Sequence, residues 1–268
     1  MIRHPASLPA RHREFLDRAV ATLAADARIA GIAAAGSYAG DTMDEFSDLD
    51  LVLACAAPDH ASLMDDRAAL ARRLGPLVAA FTGEHVGEPR VLICLYGPPA
   101  LHVDIKVVAI ADLAQRVDQP VVLWERDGRM SAAYATGAGA YPQPDAQWLE
   151  DRFWVWIHYA ALKIGRGELQ EAFDFLSYLR VTVLGPLGLA RAGLRPAGVR
   201  RVEAAPALAK QLAATLGTLE RRALLEALDH AVALYLELRP SHVAANVAAE
   251  RVARDFLAEL TPKGICGD

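Results

Sequence analysis

At 268 residues the chain has room for one large or two ordinary domains, and 53% hydrophobic against 23% charged residues excludes a long disordered tract. A formal net charge of -5 and a sequence pI near 5.9 argue against a chain that coats nucleic acid, which needs a basic face. The charge is uneven: residues 1–140 carry 13 basic and 18 acidic residues, whereas 141–268 carry 15 of each.

Read in chain order, Ser7-Leu8-Pro9 predicts a helix start with the Ser7 hydroxyl as cap. Leu16, Val20 and Leu23 continue that helix to about Ala27. Residues 29–35 are apolar and Gly-bounded, which predicts a strand. A polar Gly/Asp/Ser/Thr loop, 36–47, follows, and a second strand over 48–54. A helix over 59–74 stops at Gly75-Pro76. Val91–Tyr96 and Leu101–Ile110 form a predicted hairpin about Gly97-Pro98-Pro99, and Val121–Glu125 is one more strand before a tight turn at 126–129. Past the linker Tyr141-Pro142-Gln143-Pro144 the pattern becomes helical, with helices over 146–164, 168–184, 203–217, 218–239 and 241–260, and breaks at Gly165-Arg166-Gly167 and Gly185-Pro186. The expected fold class is α+β. A mixed sheet flanked by helices occupies residues 1–142, and an all-α helical bundle occupies 143–268.

Cys55, Cys94 and Cys266 form no CxxC pair and have no zinc-like spacing, so they read as reduced thiols. The N-terminus lacks the apolar run of a signal peptide, and no run of membrane-spanning length is evident. These features predict a cytoplasmic protein with no membrane partner.

Three aspartates carry the chemistry. Side chains two apart on a strand share a face, so Asp48 and Asp50 project together while Leu49 and Leu51 point away. In the later strand Leu101, Val103, Ile105 and Val107 lie on one face, and His102, Asp104 and Lys106 on the other. If the two strands are neighbours, three carboxylates converge. Such a cluster repels itself unless cations neutralise it, and magnesium suits all-oxygen ligands. An aspartate in mid-strand is disfavoured on propensity alone, which leaves Asp104 in need of a role. Gly36 permits a sharp turn and Ser37 offers hydroxyl and backbone donors for phosphate oxygens.

The arrangement of apolar strand, Gly36-Ser37, ten intervening residues, Asp48-Leu49-Asp50 and a later Asp104 resembles the nucleotidyltransferase superfamily of the DNA polymerase beta type. It is most similar to the small bacterial aminoglycoside and antibiotic nucleotidyltransferases. The motif covers roughly residues 29–110. The resemblance implies that Asp48, Asp50 and Asp104 bind two magnesium ions, with Asp104 either a metal ligand or the general base. It further implies ATP or another nucleoside triphosphate as co-substrate, Gly36 and Ser37 at its phosphates, and a small hydroxylated acceptor such as an aminoglycoside. Adenylylation of a protein or RNA, and nucleotide binding without catalysis, stay open beside it. A homodimer is compatible with it.

Other residues have plainer readings beside functional ones. Lys163 and Arg166 are basic residues at a helix end that could reach a triphosphate; the dipole alone explains them equally well. Lys106 is expected to pair with a carboxylate, and Arg180 with Asp174 or a neighbouring acid. Trp154, Trp156 and Tyr159 read as core, although the same rings could stack on a base or sugar. Glu168, Glu171 and Asp174 read as first-turn acids, with amine binding as the alternative. Ser37 is not a hydrolase nucleophile, since Ala35 and Ala39 stand where the elbow needs glycines.

Overall fold

A computed structural model describes residues 2–260; Cys266 and the end of the chain from 261 lie outside the described residues. The chain divides into two units, Met1–Tyr141 and Pro142–Asp268.

In the first unit, β-branched and leucine-rich runs alternate with single helices. The elements are α1 (Ala10–Ala24), β1 (Ile29–Ala34), α2 (Gly36–Ala39), β2 (Leu49–Cys55), α3 (Ala57–Leu74), β3 (Leu77–Gly83), β4 (Glu88–Tyr96), β5 (Leu101–Ala109), β6 (Val121–Glu125) and α4 (Arg129–Ala135). The strands form one mixed six-stranded sheet in the order β3-β4-β5-β2-β1-β6. Only the central pair β2/β5 is parallel; the other pairings are antiparallel. Helices α1 and α3 cover one face. Phe15, Leu16, Leu23, Leu63, Leu70 and Leu74 pack there against Leu49, Leu51, Leu53, Val103, Ile105 and Val107. Met130 and Tyr134 of α4 cover part of the opposite face, over Ala33, Ala54 and Val108. The remainder of that face, around β4 and β3, stays open: Phe81 is 55% exposed and Leu95 41%.

Several expectations for this unit need correction. Ser7 does not cap α1, whose N-cap position is Pro9 without a side-chain hydrogen bond. The Ser7 hydroxyl instead accepts from the Met43 backbone N–H at 3.1 Å, and its own N–H donates to Asp41. The polar loop after β1 opens with the single turn α2. Strand β3 and helix α4 answer to no sequence signal. Most of β3 is exposed at the sheet edge, so it has little need of an apolar alternation.

The second unit is all helical: α5 (Ala146–Arg166), α6 (Leu169–Leu179), a π-helical turn Arg180–Leu184, α7 (Gly185–Arg191), α8 (Pro206–Ala213), α9 (Arg221–Leu238) and α10 (Val247–Leu260). Asp145 caps α5 by accepting from Trp148 N–H at 3.0 Å. The helix runs through Gly165 and Arg166 and stops at Gly167, whose φ of +78° suits a left-handed C-terminal glycine. Phe153, Trp154 and Tyr235 form the ring cluster of the core, Phe153 stacked on Tyr235 at 3.7 Å between centroids.

The expected stop at Gly185-Pro186 does not occur. The Gly185 N–H bonds back to the Arg180 carbonyl, five residues earlier. Such a wide turn lets a proline enter the first turn of α7 without the clash and lost donor that it brings to a regular helix interior. The joined run Leu169–Arg191 is 23 residues long and is apolar enough by length and composition to cross a membrane, a length the unjoined segments lacked. Of its most apolar window, 56% is buried inside the protein. Leu176, Leu179, Val183, Leu184 and Leu187 belong to the helical core.

Candidate functional site

The Gly36 bend and the aspartates meet at one end of the central strands. Strand β1 runs antiparallel to β2, with Ala34 opposite Leu51, so the chain leaving β1 turns beside the start of β2. The Ala35 N–H donates to the Asp50 carbonyl at 2.9 Å. Gly36 then takes φ +58°, and a Cβ there would lie 2.1 Å from Asp50 Oδ2. The left-handed backbone calls for glycine, and any side chain there would also push the Asp50 carboxylate from its place. Ser37 follows in α2, 8% exposed, with its hydroxyl buried and unpartnered.

Asp50 and Asp104 are direct register partners on the parallel strands β2 and β5. Their neighbours Leu49, Leu51, Val103 and Ile105 are buried on the helix-covered face, while both aspartates are half-buried on the other. Asp48 lies one residue ahead of β2, and its charge reaches Asp104. Burial chiefly, then the repulsion of Asp48, pushes the Asp104 carboxyl above the usual aspartate range, against the pull of His102. The His102 ring Nε2 contacts Asp104 Oδ1 at 2.9 Å.

Which residues fix Asp48 was not legible in the sequence. The buried His12 of α1 donates from Nε2 to the Ser47 carbonyl at 2.8 Å, which sets the ring tautomer and pins the residue before Asp48. Ser47 also closes a local turn, accepting from Asp44 N–H and donating to Asp44 Oδ1, each at 3.0 Å. The residues ahead of α1 hold the same loop elsewhere: Ser7 at Asp41 and Met43, and His4 at the Tyr38 hydroxyl, 3.0 Å away. No periodicity or motif announces the ties made by His12, Ser7 and His4, because each joins residues more than thirty apart.

Among the described residues no group of three His, Cys, Asp or Glu side chains stands ready around a common metal position. Asp50 rests on Gly36 and Asp104 is drawn to His102. The donor set nevertheless fits magnesium in kind. Neighbouring strands lie about 4.8 Å apart, so two facing carboxylates come within reach of one hard cation by side-chain rotation alone.

The outlying basic residues differ from expectation in part. Lys106 pairs with a carboxylate as expected, that of Glu88 at 2.7 Å, which the neighbouring strand β4 brings alongside. Arg90 binds the same carboxylate, and Glu88 is held at about 2, mainly by the Arg90 hydrogen bond. Lys163 lies 2.7 Å from Glu168 and 3.0 Å from Glu171, and Arg166 2.6 Å from Glu168. These two acids raise the Lys163 ammonium above its usual range. Trp154 is core as expected, whereas Trp156 and Tyr159 stay partly exposed in a chain of ring contacts. Arg180 makes no pair with Asp174.

No family profile matches this chain, and no curated protein matches it. Among solved structures it is similar to an aminoglycoside 6-adenyltransferase from Bacillus subtilis, at 13% identity and a TM-score of 0.41, over 94% of this chain and 99% of that one. It is also similar to a nucleotidyltransferase-like protein from Exiguobacterium sibiricum 255-15, at 14% identity and a TM-score of 0.38, over 90% of this chain and 77% of that one. Likeness at that level transfers no chemistry, and only the residues of the Gly36–Asp50–Asp104 site bear on the reaction.

Proposed function

We propose that the chain is a nucleotidyltransferase. It moves a nucleoside monophosphate from ATP or another nucleoside triphosphate to a hydroxyl of a small molecule and releases pyrophosphate. The observation that carries this reading is the register of Asp50 opposite Asp104, beside a glycine whose backbone must pass against the Asp50 carboxylate. An acid placed in mid-strand and another resting on a bend is an arrangement that folding alone does not ask for.

Asp48, Asp50 and Asp104 would hold magnesium, which when bound supplies charge neutralisation at the phosphates and a more acidic acceptor hydroxyl. The chain's own residues do the rest. Gly36 lets the phosphate chain approach the backbone closely, and the unpartnered Ser37 hydroxyl is a donor kept in reserve for a phosphate oxygen. Asp104, opposite Asp50 in register, stands where it can take the proton of the attacking hydroxyl. The acceptor oxygen bonds to the α-phosphorus as the bond from that phosphorus to the bridging oxygen breaks. His102, in contact with Asp104, orients that carboxylate between turnovers. We leave Lys163 and Arg166 out of this site, since both already have carboxylate partners.

The test is transfer of label from α-labelled ATP, with magnesium, to a panel of hydroxylated small molecules headed by aminoglycosides. Asp48→Asn and Asp104→Asn should each lower transfer by about a hundredfold or more while the fold is kept. Unchanged turnover in both variants would overturn the assigned roles.

A further inference from the structure

The helical unit contains a cation that its own fold does not explain. Arg180 opens the π-turn between α6 and α7. Its Nε is buried without a hydrogen-bond partner, and among the described residues no carboxylate pairs with its guanidinium. Burial is the only influence moving its pKa, downward, with no acid opposing it. A guanidinium stays charged at any accessible pH, and although Arg180 as a whole is only part-buried, a buried N–H of such a group ordinarily finds an acceptor.

A second observation lies on the segment that crosses this turn. A Cβ on Gly185 would sit 2.2 Å from the Gly198 carbonyl, and a Cβ on Gly198 would lie 3.3 Å from Val181. The loop around Gly198 is therefore pressed against the π-turn, and the absent side chain of Gly185 allows it. That loop carries Arg200 and Arg201, exposed and without an ion pair among the described residues. Arg201 is also held at φ +56°, a conformation costly for a side-chain-bearing residue. The chain thus carries Arg200 and Arg201 within three residues of the point where Gly198 meets the widened turn that Arg180 opens, a kind of turn found often at functional sites.

We propose that the π-turn and the Gly198 crossing form an oxyanion site that takes a phosphate group, with Arg180 as its anchor and Arg200 and Arg201 as outer contacts. The guanidinium matches a phosphate by paired N–H donors, and three uncompensated positive charges favour a multiply charged tetrahedral anion over a single carboxylate. The site stands on the second unit alone and does not depend on the transfer reaction proposed above.

Arginine Nε–Hε resonances of the full chain, titrated with inorganic phosphate and separately with acetate at matched ionic strength, test it. Phosphate should shift the Arg180 resonance saturably, and acetate at least tenfold more weakly. Arg180→Gln should lower phosphate affinity tenfold or more with the circular dichroism unchanged. Should that variant not fold, the double variant Arg200→Gln/Arg201→Gln, confined to exposed side chains, should weaken phosphate severalfold. The proposal fails if the wild type shows no saturable shift, if acetate matches phosphate, or if the variants bind phosphate as the wild type does. It also fails if Arg180→Met melts higher than wild type while phosphate leaves both melting temperatures unchanged, since Arg180 would then be only a space filler.

Discussion

Glu150 and Asp104 are both carboxylates withdrawn from water, and the protein treats them in opposite ways. The Glu150 side chain is fully buried in the helical unit. It accepts from the Tyr235 hydroxyl, from Trp154 Nε1 at 3.0 Å and from the Asn246 N–H at 2.9 Å, with Arg239 at 3.4 Å. Burial pushes its pKa up, and the Tyr235, Asn246 and Trp154 bonds with the Arg239 charge more than reverse that, holding it below the usual glutamate range. Asp104 is only half-buried, has His102 as its neighbour, faces Asp50 in register and feels Asp48, and its pKa is raised. A carboxylate that a fold uses as a strut is surrounded by donors. One left short of donors and set beside other acids is costly to the fold, which makes it a residue to test for chemistry.

The contrast is most exposed to test at Glu150. Glu150→Ala should lower stability by about 3 kcal/mol, because it leaves a buried hydroxyl, an indole N–H and a guanidinium without their acceptor. Chemical denaturation measures this, and a loss within error of zero would remove Glu150 as a strut. In the wild type this contribution is present above the ordinary glutamate pKa and is lost as pH falls through the depressed native value.

Gly36→Ala is expected to have a smaller effect on the fold, about 1–2 kcal/mol for the left-handed backbone, with a larger one on the site. The added Cβ must displace the Asp50 carboxylate, so magnesium affinity measured by calorimetry should fall more than the melting temperature does. Equal losses in both would say that Gly36 serves the turn alone.

The smallest effect is expected at Asp104, and its sign is opposite to that at Glu150. A raised native pKa favours the protonated state, so the penalty of the charge is absent at low pH and appears as pH rises from the ordinary aspartate value through the native one. Without metal, Asp104→Asn should melt slightly higher than wild type at neutral pH, and the gap should close in acid. A lower melting temperature for the variant at neutral pH would place Asp104 with Glu150 as a structural group.

Much of this molecule could be read along the chain. The alternation of Leu101–Val107 against His102–Lys106, and of Leu49 and Leu51 against Asp50, put Asp104 and Asp50 on the face away from the core leucines, because side-chain direction in a strand is a local property of period two. Helical periodicity likewise located α1, α3, α5, α6 and α9. Whether Asp50 and Asp104 would share a face of one sheet depended on β2 and β5 being neighbours, a matter of strand order that no local pattern contains. Tertiary structure alone also decided that His12 fixes the residue before Asp48, that Ser7 serves as a tether and not a cap, that Lys106 turns to Glu88, and that a π-turn carries the helix past Pro186 with Arg180 left unpaired. The physical reason is common to all of them. Local periodicity follows from backbone geometry within a few residues, whereas the partner of a polar group is whatever the fold brings to it from far along the chain.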